Sequence, residues 1–512
     1  MKRKIINYFA ATLLVLLLFS PGCTKDFQEI NKNPNSPTVA QAAPSMLLTN
    51  AIESMTDRVH EIFLGHEMGS CWVQHMAKVQ YPDEDRYVPR MSVINSTWTS
   101  FYAANGFDVQ TIYNLGKTSN NTAYQAVALI LKSYITSVLT DEFGDVPYTQ
   151  AWLGSDATPI LSPVYDTQES IYATLLTNLD EANTLLTTGT SEISGDILFD
   201  NDLMKWRKFA NSLRLRLLMR RSDRVNPTTD ITAIVNDPDK YPIFESNADN
   251  AALAYLGSAP NNNPINENRK TRDDHRVSNT IIDVMWTNNP NMDYRIIVYA
   301  LPPSGGGNWV GLPNGMTSTD AANYLGNGLT KTSKIGSYFS DATAPGMLMS
   351  YAEVQFILAE AVQRGFITGS AKTAEDYYNE GVTGSYKQYG DAIVAGGNGK
   401  WGGATWKIDN YIADYFANYA AFDPAKALEQ IYTEKWLAMF DQGLQAKFEW
   451  NRTNTPILVP AIAGQNGDKI PVRAYYPSDE SGRNPTNLAA AVARQGADDL
   501  NTRVWWDTKD NF

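Results

Sequence analysis

Apolar side chains recur along this chain three and four residues apart, in stretch after stretch, and that spacing restricts it to helices that must pack on one another. Tyr124, Val127, Leu131, Tyr134 and Val138 mark one helix. Ile171, Leu175, Leu179, Ala182 and Leu186 mark a second, with Asp166 and Glu169 placed as a capping box at its start. A third carries Leu203, Trp206, Phe209, Leu213 and Leu217, leaving Arg207, Arg214 and Arg221 for its other face. A fourth carries Met349, Ala352, Phe356, Ala359 and Val362, and Gly365 is suited to end it. A fifth carries Leu428, Tyr432, Trp436, Met439 and Phe440. Each stripe covers one face, and a one-faced helix is stable only against another such face. Helical hairpins stacked pair on pair satisfy all of them. With 512 residues and 43% hydrophobic content there is ample material for a large core. No charged or Ser/Gly linker divides the chain, so residues 45–512 are expected to form one mainly α domain with little β structure.

Three regions break the helical period. Residues 245–346 are rich in Asn, Gly and Pro, including Asn261–Pro264, Gly305–Gly307 and Pro313–Gly315. Residues 388–407 and the tail from 456 onward are the others. Trp286, Tyr294, Trp309 and Tyr324 stand in or beside the first region. Disordered segments are poor in aromatics, so ordered surface loops decorating the helices are expected here.

The N-terminus reads as an export signal. Lys2, Arg3 and Lys4 precede the apolar run Phe9–Phe19, interrupted only by Thr12. That run is too short to span a bilayer and suits the core of a signal peptide. Ser20, Pro21, Gly22 and Cys23 follow. A small residue and a Cys directly after the apolar run suggest lipoprotein processing, although Ser20 stands where bacterial lipoproteins usually have Leu. Residues 1–22 are therefore expected to be removed and Cys23 to be acylated, as with palmitate. Residues 23–44, with Asn31, Asn33, Pro34, Asn35, Ser36 and Pro37, read as an extended tether. Cys71 is the only other cysteine, so a lipid on Cys23 rules out an intrachain disulfide.

The formal net charge of −13 argues against nucleic acid, whose phosphates need Lys and Arg. Catalytic patterns are incomplete. His60–Glu61 and His66–Glu67 resemble the opening of a zinc-protease helix, but Leu64 and Ser70 occupy the positions of the required second His. Gly116–Lys117–Thr118 resembles the end of a phosphate loop, but Thr111 replaces its first Gly. No Gly-x-Ser-x-Gly elbow occurs. Asp83, Glu84 and Asp85 read as a solvated acidic loop. The expectation is a binding protein with no enzymatic activity, no metal and no cofactor.

Several segments, in order, carry a family resemblance. They are TDEFGDVPYTQAW (140–152), KWRKFANSLRLRLLMRRSD (205–223), MSYAEVQFILAEAVQRG (349–365), IYTEKWLAMFDQGLQAKFEWNRT (431–453) and RAYYPSDESGRNPTN (473–487). Together they resemble the SusD/RagB family of Bacteroidota outer-membrane lipoproteins. The resemblance implies tetratricopeptide-like helix pairs with long loops, a lipid anchor on the outer face of the outer membrane, and a SusC-type TonB-dependent transporter as partner. Lys25, Asp26 and Glu29 partly resemble the family's surface-export signal. It further implies a nutrient cargo, most often a glycan. A peptide cargo and a surface glycoside hydrolase are the alternatives. Trp206, Phe209, Arg452 and Arg473 read as scaffold residues.

A sugar offers hydroxyls at its edges and C–H bonds on its faces, so its site should join exposed aromatics to fixed polar groups. Two segments supply that mixture. Tyr81, Arg86, Tyr87 and Trp98 come from the first, and Asn263, Trp286, Trp309 and Tyr324 from the loop-rich insertion. These eight are the candidate ligand-binding residues.

Overall fold

The computed structural model describes residues 43–154, 158–286 and 292–510; the expected signal peptide, Cys23 and most of the tether lie outside them. The long helices are α1 (Pro44–His60), α2 (Met91–Thr99), α3 (Phe107–Thr118), α4 (Thr122–Phe143), α5 (Gln168–Thr188) and α6 (Leu203–Arg220). After the loop-rich insertion come α7 (Tyr351–Gln363), α8 (Ala374–Gln388), α9 (Ala427–Ala438), α10 (Gly443–Thr453) and α11 (Pro485–Gln495). Among the described residues, strands are confined to three antiparallel two-stranded pairs: β1 (Met76–Lys78) with β5 (His275–Val277), β2 (Val146–Pro147) with β3 (Tyr165–Asp166), and β4 (Ala251–Leu253) with β6 (Gly346–Met349). None of the described helices is long and apolar enough to cross a membrane.

Consecutive helices pack on each other, α3 on α4, α4 on α5, α5 on α6, and α7 on α8, which is the expected hairpin stacking. Contacts of α6 and α9 with α7 join the early helices to the late ones. Helix α4 is enclosed on nearly all sides, and Trp206 and Phe209 of α6 are fully buried, as scaffold residues should be. Helix α5 starts one residue later than the proposed capping box: Thr167 caps it, and Asp166 turns away to accept hydrogen bonds from the backbone of Tyr148 and Thr149.

The Gly-Asp-x-Pro-Tyr segment has a local reason. Gly144 ends α4 at φ +85°, and a Cβ there would sit 1.9 Å from Gln495 Oε1. Asp145 next to it accepts from the Gln168 backbone N–H at the start of α5 and from Arg494 of α11. The turn thus ties two consecutive helices to the C-terminal one.

The core also holds a chain of buried ion pairs. Arg216 grips Glu353 at 2.6 Å, and Arg220 reaches Asp141 at 2.9 Å. Lys447 meets Glu142 at 2.6 Å, and Lys435 meets Glu449 at 3.0 Å. Arg452 donates to both oxygens of Glu360 and also to Glu449. These groups come from α4, α6, α7, α9 and α10, so they lock the angles of five helices at once. Arg473 is likewise buried, with its guanidinium on Asp498 at 3.2 Å.

The insertion at 245–346 is ordered by short helices and by β4, β5 and β6. Its strands pair outside it or across it, so it is stitched to the helical body at two places.

Candidate functional site

The β1–β5 ladder matters most for the site. It sets Met76 opposite Val277, Ala77 opposite Arg276 and Lys78 opposite His275. It thereby brings the first candidate segment against the loop-rich insertion. Between the loop that follows β1 and the segment that precedes β5 lies a cavity of about 380 Å³. Its wall includes Phe63, Tyr81, Asp83, Arg90, Asn268 and Arg272, with Glu67, Glu84 and Asp274 deeper in.

Tyr81 is the aromatic face of this cavity. It stands at φ +49° on the turn after β1, and 59% of it is exposed. The Arg272 guanidinium lies over its ring, 4.9 Å from the centroid, which steadies an otherwise free side chain. Arg90 lies over the Phe63 ring at 4.6 Å and is hydrogen-bonded to Glu84.

The loop is held from below by Asp85. This fully buried carboxylate accepts from the Lys78 backbone N–H, the Gly315 backbone N–H and the Asn314 amide, all within 3.0 Å. Burial pushes its pKa up to about 6 even with those donors. Asp85→Ala leaves three buried donors unanswered and is expected to cost about 3 kcal/mol in chemical denaturation. Limited proteolysis should then cut first within residues 79–90.

The floor is ionic. Lys78 is buried between Glu67 and Glu84, with its Nζ 2.9 Å from Glu84 Oε2. Burial acts to raise both carboxyls, and the outcomes differ. Lys78 and Arg90 hold Glu84 below its ordinary range, whereas burial wins at Glu67 and lifts it to about 7. His275 is driven well down by burial and by Lys78, so it is neutral.

The other sequence candidates take structural places. Arg86 is mostly covered and donates to the Ala463 carbonyl. Tyr87 is buried, and its hydroxyl accepts from the Ala461 N–H at 2.8 Å. Asn263 is buried and caps the short helix Pro264–Arg269. Trp286 and Trp309 are buried edge to face, 5.8 Å apart, and Trp309 donates to the Ala300 carbonyl. Tyr324 is half-buried on the small cluster of Ala77, Val79, Leu312 and Ala321, behind β1. Trp98 is 8% exposed and borders a second, mainly apolar cavity of about 510 Å³ with Tyr102, Trp152 and Leu161. Among the eight, Tyr81 alone offers an open ring face in the first cavity. Composition placed the segments usefully but pointed to rings whose apolar area the core had already claimed. Glu67, Arg90, Asn268 and Arg272 were missed, and their only sequence signal was their closeness to the two chosen segments.

With the fold and this geometry in view, comparison with known proteins adds the lineage. A family model described as "Starch-binding associating with outer membrane" matches residues 34–477. The chain belongs to the SusD-like family. Among solved structures, it resembles a chitin-binding protein at 29% identity and a TM-score of 0.76, covering 91% of this chain and 100% of that one. It resembles a SusD homologue from Bacteroides fragilis at 27% identity and a TM-score of 0.74, covering 92% and 100%. A SusD homologue from Parabacteroides distasonis, at 21% identity and a TM-score of 0.78 over 92% and 99% of the two chains, shares the fold. No curated protein matches.

Proposed function

We propose that this SusD-like protein captures an oligosaccharide at the cell surface and passes it to a SusC-type TonB-dependent transporter. The observation that carries the reading is Tyr81. An exposed aromatic ring on an ordered turn, flanked by Arg272, Asn268, Arg90 and Asp83, suits a pyranose. The sugar's C–H face would lie on the ring and its hydroxyls would meet the polar groups. The family description and the chitin-binding relative support a glycan over a peptide. A protein that passes its cargo on must release it, so micromolar to millimolar affinity, about −4 to −8 kcal/mol, is sufficient. The protein's role is binding and not turnover.

Isothermal titration with starch-type and chitin-type oligosaccharides tests this. Saturable binding of one series, with no change in its chain length after prolonged incubation, supports the reading. Shortened products would identify a hydrolase, and binding of peptides alone would reassign the cargo. The anchor has its own test. Cys23→Ala should shift the protein from the membrane fraction to the soluble fraction, and mass spectrometry of the wild type should find acyl chains on Cys23.

A further inference from the structure

The cavity of about 510 Å³ beside Trp98 shares no residue with the one at Tyr81. Its wall is built from rings. Trp98 lies near the end of α2, Tyr102 in the π-helical turn Ser100–Gly106 that follows, Phe107 at the start of α3, and Trp152 beyond β2. Ile160 and Leu161 add aliphatic surface. Phe107 is 38% and Leu161 80% exposed, so apolar surface at the mouth is left in water.

The wall is held in place by its own surroundings. Trp152 stands at φ +63°, a left-handed backbone that bulky residues rarely adopt. Its indole N–H donates to the Tyr102 carbonyl at 2.8 Å, and Lys132 Nζ lies 4.8 Å from its ring centroid. Gly106 makes room for the ring, since a Cβ there would sit 2.5 Å from Trp152 Cζ2. Strained backbone and π-helical turns recur at functional sites, and this wall has both.

The polar groups decide what kind of guest fits. Gln150 Oε1 accepts from the Val164 N–H, the Tyr102 hydroxyl donates to the Pro147 carbonyl, and Asn484 donates to the Pro163 carbonyl and accepts from Asn487. These side chains are already engaged within the protein. A sugar would give up its water here for few new partners, whereas a hydrocarbon has no hydrogen bonds to lose. Charge is confined to one edge, the short helix Glu480–Arg483. That edge carries both signs, with Glu480 accepting from the Tyr165 hydroxyl and Arg483 paired to Asp479 at 3.1 Å. It suits a head group with no net charge.

We propose that this cavity binds the hydrocarbon chain of a single-chain amphiphile, with its neutral or zwitterionic head at the Glu480–Arg483 edge. The site is independent of the oligosaccharide reading of the Tyr81 cavity. Its place in the fold agrees with a membrane source. Asp108, next to Phe107, accepts from Asn50 in the second turn of α1, close to where the chain enters the folded body.

The test is calorimetric titration with hexyl-, octyl-, decyl- and dodecylphosphocholine, each kept below its micelle-forming concentration. Saturable binding at one site should tighten about three- to fourfold with each added methylene until the cavity is filled. This series uses the wild-type protein and needs no variant to fold. Ala103→Trp, an exposed position on the wall, should fill the cavity and weaken dodecylphosphocholine at least tenfold. Leu161→Asp should weaken it at least threefold, while Tyr81→Ala should leave it unchanged. Absence of saturable binding, or affinity that does not depend on chain length, overturns the inference. Full affinity in both Ala103→Trp and Leu161→Asp overturns it as well, by placing the chain elsewhere. Loss of oligosaccharide binding in Ala103→Trp, with dodecylphosphocholine unaffected, would make this the sugar site instead.

Discussion

Tyr81→Ala is expected to weaken oligosaccharide binding by about 10- to 100-fold and to leave the fold's stability almost untouched. Covering a large ring contributes about 1.5–3 kcal/mol, of which a sugar face claims a good part, and 1.4 kcal/mol is a tenfold change. The side chain is 59% exposed and its main partner is Arg272, over its ring. Losing that contact costs about 0.5–1 kcal/mol at an exposed site. Tyr81→Phe keeps the face and should bind within a few-fold of wild type. Calorimetric titration with the preferred oligosaccharide gives the affinities, and thermal melting gives the stability. Undiminished binding by Tyr81→Ala would move the site elsewhere, and the apolar cavity beside Trp98 would be the place to look.

Arg452→Leu should be far more damaging to the fold, by about 3–5 kcal/mol, because it leaves Glu360 and Glu449 buried without their shared cation. Arg452→Lys should recover only part of the loss, since an ammonium cannot reproduce the paired hydrogen bonds to both oxygens of Glu360. Lys372→Ala, which breaks the exposed pair with Glu380, is the control and should stay within about 0.5 kcal/mol of wild type. Urea denaturation midpoints with unchanged slopes would report these differences. A small effect of Arg452→Leu would mean that the helices are held by apolar packing alone.

The helical body was legible because its signal is local. Stripes such as Tyr124–Val138 and Leu203–Leu217 repeat with the helix's own period, and a face so marked must be covered. Gly365 was readable as a helix end, and it takes positive φ. The candidate site was legible only as a neighbourhood. Trp98, Trp286 and Trp309 satisfy the same compositional rule as Tyr81, yet they are buried and it is not. Aromatic content states that flat apolar faces exist, without stating which of them the core consumes.

By itself the amino-acid order determined five of the long helices, their stacking on one another, and the family, whereas Gly390–Gly397 and Pro485–Gln495, in regions read as irregular, are helical. Those properties follow from contacts a few residues apart and from motifs read in line. Which side chains meet at the cavity was decided in three dimensions. Lys78 and His275 become neighbours only when β1 pairs with β5, and the Glu67 carboxyl is pushed up to about 7 only when packing removes water from it. Strand pairing and desolvation act between residues far apart in the chain, so no local pattern could have announced them.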